Sequence, residues 1–121
     1  MTKNYFTEKE LSCACCGVNN FNLGTLLKFN KMREMANFSI PMTSGYRCEK
    51  YNKINGYTQT HATGQAGDVG VSHKKALMLI DLAFTVGFTG IGVKQKGSSR
   101  FLHFDDLPEA EGRPRPHIWS Y

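Results

Sequence analysis

Two histidines and an aspartate are the residues of this 121-residue chain whose types and spacing most directly suggest chemistry. His61 and Asp68 flank a segment that contains Gly64 and Gly67, and His103 lies in an apolar run. Because glycine permits a close backbone approach, the segment can fold back and bring His61 to Asp68. Two imidazoles and one carboxylate form the three-ligand set of a catalytic zinc, whose fourth position stays open for water. Taken alone, each histidine is also compatible with a core residue that has a hydrogen-bond partner.

The motifs around these residues resemble one family. S-G-Y-R at residues 44–47 is followed five residues later by Asn52, then by H-x-x-G-x-A-x-D at residues 61–68, and then by H-x-D at residues 103–105. This series resembles the zinc D-Ala-D-Ala carboxypeptidases, the M15 peptidases, whose fold is shared with the Hedgehog signalling domain. The sequence is most similar to the small phage and bacterial cell-wall peptidases of that group. The resemblance extends from about residue 6 to residue 121.

The resemblance implies a role for each matching position. His61, Asp68 and His103 match the three ligands of one catalytic zinc, and Ser44 and Arg47 match residues of the substrate cleft. The guanidinium of Arg47 is a planar fork suited to a terminal carboxylate or a developing oxyanion. The alternative for Arg47 is an ordinary surface cation. We therefore expect Ser44 and Arg47 to bind substrate and Arg47 to assist catalysis.

The general base is where the chain departs from the family pattern. Relatives often carry a glutamate shortly before the last histidine, but the positions three and six before His103 hold arginine and glycine. Strand alternation places Asp105 on the same face as His103, whereas Asp106 faces the other way. Asp105 is therefore predicted to be the general base or a partner that orients a ligand. His117 is a further candidate base, and its alternative is a surface residue.

The candidate site residues must be positioned by the helices and strands of the chain. The predicted helices and strands are mixed along the sequence and do not strictly alternate. Apolar spacing predicts helices over residues 23–36 and 73–86. Residues 55–67 are predicted to be a loop, and the proline-containing tail 108–121 is expected to wrap the surface. Strands are predicted over four short segments, 40–43, 68–71, 88–93 and 100–104. The pattern predicts a single α+β domain over residues 1–121, with a small, mainly antiparallel sheet flanked by helices.

Composition narrows the setting in which such a domain works. Hydrophobic residues make up 40% and charged residues 21% of the chain, which is typical of an ordinary globular domain. No apolar run is long enough to span a membrane, and the first ten residues carry charges where a signal peptide needs an apolar stretch. We therefore expect a monomer that is synthesised in the cytoplasm without a signal peptide. The formal net charge of +5 suits an anionic partner.

The cysteines leave two interpretations open. Cys13, Cys15 and Cys16 are clustered, and Cys48 is the fourth. Buried or free thiols are the default interpretation for a chain made in the cytoplasm. The alternative is a second, structural zinc, because Cys13 and Cys16 have the C-x2-C spacing and Cys48 could complete the ligand set.

The function implied by the resemblance is hydrolysis of a peptidoglycan stem peptide, near a D-amino acid, through a zinc-activated water. The enzyme would be a zinc metallopeptidase of the carboxypeptidase or the endolysin type, which reaches the cell wall by phage-type release. The first alternative is a zinc-containing domain of the same fold that binds without cutting, because the usual glutamate is absent. A more distant alternative is a small basic nucleic-acid-binding protein, suggested by the sequence pI of about 9.1.

Overall fold

A computed structural model describes residues 3–121 of the chain. It contains four α-helices, a 3₁₀ turn and five strands, in the order α1 (Glu8–Leu11), α2 (Leu23–Ala36), β1 (Met42–Ser44), α3 (Glu49–Asn55), the 3₁₀ turn Thr60–Thr63, β2 (Ala66–Val69), α4 (His73–Val86), β3 (Gly90–Lys94), β4 (Phe101–Asp105) and β5 (His117–Ser120).

The two long helices begin and end where local chemistry favours it. The Asn22 side chain accepts a hydrogen bond from the Thr25 backbone N–H at 3.0 Å, which caps the start of α2. Asn37 ends α2 and Gly87 ends α4, both in the left-handed conformation. The predicted helices over 23–36 and 73–86 are confirmed. No helix in the described part of the chain is long and apolar enough to cross a membrane.

The five strands form one mixed sheet in the order β1-β2-β4-β3-β5. Every neighbouring pair is antiparallel except β3 and β5, which run parallel. The predicted α+β domain with a mainly antiparallel sheet is confirmed. The tail was expected to wrap the surface, and this is wrong for its last part, because β5 hydrogen-bonds to β3 at the sheet edge.

The hydrophobic core lies between one face of the sheet and the pair α2 and α4. Phe29 of α2 stands at its centre, with its ring centroid 4.7 Å from that of Phe88. The Phe88 and Phe104 rings stack at 5.3 Å, and all three side chains are fully buried. Because Phe104 and Leu102 face this core, alternation turns His103 and Asp105 to the opposite face of β4. The core thus fixes which face of the sheet can carry polar chemistry.

Candidate metal centre

Three neighbouring elements bring the predicted ligands together on the face of the sheet away from α2 and α4. Asp68 of β2 lies directly across from His103 of β4 in the antiparallel register. His61 is supplied by the 3₁₀ turn that leads into β2. His61 and His103 are 1% and 3% exposed, so both imidazoles are removed from bulk water. The sequence predicted these three residues as one cluster, and the structure brings them together.

The facing atoms of the cluster form a nearly equilateral triangle. His61 Nε2 lies 3.2 Å from His103 Nδ1 and 3.2 Å from the Oδ1 atom of Asp68. His103 Nδ1 lies 3.1 Å from the same oxygen. Ligand atoms about 2.1 Å from a tetrahedral zinc stand about 3.4 Å apart. The spacing of these three atoms is therefore close to that of one face of a zinc coordination tetrahedron.

Hydrogen bonds on the outer side of each ring determine which nitrogen carries a proton. His61 Nδ1 lies 2.8 Å from the Gly45 carbonyl oxygen, which can only accept, so Nδ1–H is the donor. His103 Nε2 lies 2.7 Å from the carboxylate oxygen Oδ2 of Asp105 and donates to it in the same way. In the neutral rings, the remaining nitrogens therefore direct lone pairs toward Asp68. The lone pairs of His61 Nε2, His103 Nδ1 and Asp68 Oδ1 are then directed at the same point. Because lone pairs at this distance repel one another, the arrangement needs a positive charge between them.

A proton or a metal ion can supply that positive charge. The pKa values of Asp68 and His103 are shifted in the direction that keeps the carboxylate ionised and favours a positive charge beside it. Burial opposes ionisation of Asp68, but hydrogen bonding to His103 and His61 outweighs it and holds the Asp68 pKa well below its usual range. Burial likewise lowers the pKa of His103, but its bonds to Asp105 and Asp68 raise that pKa overall. Asp68 thus stays ionised at neutral pH, as a metal ligand must be. Two imidazoles and one carboxylate fit zinc in number, type and spacing.

Asp105 lies on the far side of His103 from the ligand triangle, and both of its oxygens are occupied. Besides His103, it binds the guanidinium of Arg115, with Nε at 2.9 Å from Oδ1 and Nη2 at 2.8 Å from Oδ2. Burial raises the pKa of Asp105, but the bonds from His103 and Arg115 outweigh that and lower it to about 2. The Asp105 side chain is fully buried. Asp105 is therefore an ionised carboxylate that holds the outer nitrogen of His103.

Two glycines of β3 make room for this arrangement. Gly90 pairs with Asp105 in the sheet register, and a Cβ atom there would collide with the Asp105 carboxylate and the Arg115 guanidinium. Gly92 pairs with His103, and a Cβ atom there would lie 2.8 Å from Nε1 of Trp119. The absence of side chains at these two positions lets polar and aromatic groups cover the outer side of the histidine.

Ser44 and Arg47 lie beside the triangle, along an open cleft that Asp68 also lines. Ser44 of β1 pairs with Asp68 in the sheet. The backbone N–H of Arg47 donates to the carbonyl oxygen of His61 at 3.3 Å, and its guanidinium lies over the Tyr57 ring at 4.6 Å. The Nε atom of Arg47 is buried and has no hydrogen-bond partner. A buried donor without a partner is costly, so an acceptor supplied from outside would be stabilised there.

The other two carboxyl and imidazole candidates lie outside the triangle, although His117 lines the same depression as His61 and His103. Asp106 faces the opposite way, as predicted, and binds the ammonium group of Lys28 at 2.7 Å. His117 lies in β5, is exposed, and stacks against Trp119. Neither residue belongs to the group of side chains that could hold a metal with His103.

Sequence reasoning assigned no role at the site to Arg115, Trp119 or Tyr121 of the tail. The Trp119 ring lies 5.2 Å from that of His103, and Arg115 lies over the Trp119 ring at 5.0 Å. Tyr121 lines the same depression as His61 and His103. An aromatic ring at every second position of residues 117–121 was a strand signal that could have placed Trp119 and Tyr121 on one face of the sheet.

Comparison with known proteins gives one family. The family model described as peptidase M15 matches residues 4–105, which include all three residues of the triangle as well as Ser44, Arg47 and Asp105. Arg115 and Trp119 lie beyond the matched segment. No curated protein matches the chain. The M15 peptidases are zinc-dependent metallopeptidases, and the match covers most of the chain together with the three residues that could bind the metal. The chain belongs to the peptidase M15 family.

Proposed function

We propose that this protein is a zinc-dependent peptidase that hydrolyses the stem peptide of peptidoglycan next to a D-amino acid. The observation that carries the proposal is the triangle of His61 Nε2, Asp68 Oδ1 and His103 Nδ1, beside an arginine whose Nε has no partner. The ligand triangle supports hydrolytic chemistry, and the arginine supports a substrate that carries a carboxylate. The positive net charge of the chain favours binding to an anionic cell wall.

The side chains have distinct tasks in this proposal. His61, Asp68 and His103 would hold the zinc beside the cleft that Asp68 lines. A bound zinc would supply Lewis acidity, which lowers the pKa of water and polarises a peptide carbonyl. The Gly45 carbonyl and the Asp105 carboxylate fix the ring positions, so little reorganisation is needed when the metal binds.

Arg47 is proposed to receive the terminal carboxylate of the substrate. Its backbone is fixed by the bond to the His61 carbonyl and its guanidinium is placed by Tyr57, so its position relative to the triangle is set before substrate arrives. A charge-assisted bond to a carboxylate would also satisfy its buried Nε. This arrangement favours release of a carboxy-terminal residue over cleavage within a longer peptide.

Synthetic stem peptides that end in D-Ala-D-Ala test this proposal with a matched chemical change. With the zinc-loaded protein, we expect the free carboxylate to be hydrolysed at least about tenfold faster than the same peptide with an amidated terminus. In Arg47→Ala this preference should be lost through a higher KM for the free acid, with the zinc content unchanged. Equal rates for both peptides in the unaltered protein would contradict terminal-carboxylate recognition and favour an endopeptidase.

We further propose that Asp105 is a positioning residue, not the general base. Its oxygens are fully engaged by His103 and Arg115, and it has no contact with solvent. It can therefore orient His103 and strengthen its donor nitrogen, but it faces away from the side on which a substrate would bind.

One observation favours a second candidate function. Among residues 3–121, no carboxylate other than Asp68 belongs to the group that could hold the metal, because Asp105 contacts the outer nitrogen of His103. A domain that holds zinc and binds wall peptides without cutting them would need no such group. Full zinc occupancy with specific binding of the stem peptide and no hydrolysis would establish this function in place of the peptidase.

A further inference from the structure

The four cysteines of the chain come together at a place distinct from the histidine triangle. Cys13, Cys15 and Cys16 lie in the turn after α1, and Cys48 is the N-cap residue of α3. All four sulfur atoms lie within 4.8 Å of one another, although Cys48 is separated from the other three by two elements of the fold. All four thiols are free.

Two of the sulfur–sulfur distances are close to those of tetrahedral metal coordination. The Sγ atoms of Cys15 and Cys48 are 3.3 Å apart, and those of Cys13 and Cys15 are 3.6 Å apart. Thiolates about 2.3 Å from a tetrahedral zinc stand about 3.8 Å from one another. Four cysteines at this spacing also supply the complete ligand set of a closed structural site, with no position left for water or substrate.

The backbone around the cluster forms a tight turn and directs N–H groups at two of the sulfur atoms. The Cys13 N–H donates to the Val18 carbonyl and the Gly17 N–H donates to the Cys13 carbonyl, each at 2.8 Å, so that residues 13–18 form a tight turn. The N–H of Cys48 donates to the sulfur of Cys13 at 3.4 Å, and the N–H of Tyr51 donates to the sulfur of Cys48 at 3.4 Å. Backbone N–H groups directed at sulfur stabilise thiolates, which are the form that binds metal.

Core packing does not account for the cluster. Cys13 is buried, but Cys15 and Cys16 are exposed, so hydrophobic burial explains only one of the three cysteines in the turn. Exposed thiols crowded against two others are open to oxidation unless something binds them. A bound metal accounts for all four positions at once.

We propose that Cys13, Cys15, Cys16 and Cys48 bind a second zinc ion, which is structural and fastens the N-terminal turn to the start of α3. This assignment reverses the default interpretation of the cysteines as free thiols. Cys48 directly follows Arg47, and the Tyr46 N–H donates to the Leu11 carbonyl at 2.9 Å, so the same junction also holds the segment between β1 and α3 that carries Arg47. The proposal does not depend on the function of the histidine site.

Zinc content of four versions of the protein, purified without chelator, tests the proposal. We expect two zinc ions per chain in the unaltered protein, one in His61→Ala, and one in Cys16→Ser. Ala14→Ser is the matched control, since it places the same side chain at an exposed position of the same turn and should keep both ions. Zinc that disappears completely in His61→Ala and stays unchanged in Cys16→Ser would overturn the cysteine site.

Cobalt substitution identifies the ligands without any measurement of hydrolysis. Cobalt-loaded His61→Ala should keep the intense near-ultraviolet sulfur-to-metal absorption of a thiolate site, and Cys16→Ser should lose most of it. Absence of this absorption in folded, cobalt-loaded His61→Ala would overturn the proposal.

Thiol reactivity of the unaltered protein keeps the test independent of how any variant folds. With zinc bound, the four thiols should react slowly with a thiol reagent, and a chelator should make all four reactive together. Immediate reaction of Cys15 and Cys16 in the native zinc-loaded protein would contradict the proposal. A mass lower by that of two hydrogens, from a Cys15–Cys48 disulfide in protein that was never oxidised deliberately, would contradict it too.

Discussion

The outer hydrogen bonds of the two histidines decide what the inner nitrogens can do. A carbonyl oxygen holds His61 and a carboxylate holds His103, so both rings present lone pairs to the spot that Asp68 also faces. The carboxylate is itself held by a bidentate arginine, Arg115. At the scale of single residues, the candidate site therefore consists of His61, Asp68 and His103 and the groups that fix the protonation of the two rings.

Replacing Asp105 with asparagine tests this outer support. The amide in Asp105→Asn keeps the shape of the side chain but loses the charge that pairs with Arg115 and polarises His103. We expect the zinc affinity of the histidine site to fall by about 10–100-fold, measured by competition with a chelator of known affinity. The cysteine cluster could also hold zinc. The affinity is therefore measured for the ion that is present in the unaltered protein and absent from His61→Ala.

Asp106→Asn is the matched control for this change. The neighbouring carboxylate binds Lys28 and Thr25 on the other side of the sheet, away from the metal ligands. Its loss should lower the free energy of unfolding and leave zinc affinity unchanged. If both variants weakened zinc binding equally, the effect of Asp105 would be one of general stability and not of histidine orientation.

At the scale of elements, β3 contributes to the site because two of its positions, Gly90 and Gly92, have no side chain. Gly90 is placed against Asp105, and an added methyl group would push into the carboxylate and Arg115. We expect Gly90→Ala to lower the free energy of unfolding by about 1–3 kcal/mol, as overpacking does, and to weaken zinc binding as well. Chemical denaturation and chelator competition measure the two effects.

Ile91→Val tests whether a change on the core-facing side of β3 affects zinc binding. Ile91 packs against the hydrophobic core, on the side of β3 away from the site. The variant should lower the free energy of unfolding by about 0.5–1.5 kcal/mol while zinc affinity stays at the level of the unaltered protein. A loss of zinc affinity as large as that in Gly90→Ala would mean that β3 supports the site only through overall stability.

The elements also show what sequence could and could not predict. Both long helices and the grouping of His61, Asp68 and His103 were predictable, because apolar periodicity and a compact motif are local signals. Helix α3 and strand β5 were missed, since neither has a strong periodic pattern and β5 depends on its parallel pairing with β3. The partner of Asp105 was missed for the same reason, because Arg115 comes from a segment whose position only the tertiary fold determines.

At the scale of the whole molecule, the net charge of +5 should affect binding to a polymer more than catalysis on a small peptide. Raising the ionic strength from about 0.1 M to about 1 M shortens the Debye length from about 10 Å to about 3 Å. We expect hydrolysis of intact cell wall to slow several-fold over this range, and hydrolysis of a soluble stem peptide to change by less than about twofold. Equal slowing of both would place the salt effect in the active site.

The most direct test of the central claim measures zinc content and stem-peptide hydrolysis on the same preparations of the unaltered protein and His61→Ala. We expect the variant to contain one zinc ion fewer per chain and to have no detectable hydrolysis, while its circular dichroism shows that it is folded. A folded variant that loses no zinc, or one that still hydrolyses the peptide at the rate of the unaltered protein, would contradict the assignment of His61, Asp68 and His103 as the catalytic metal centre.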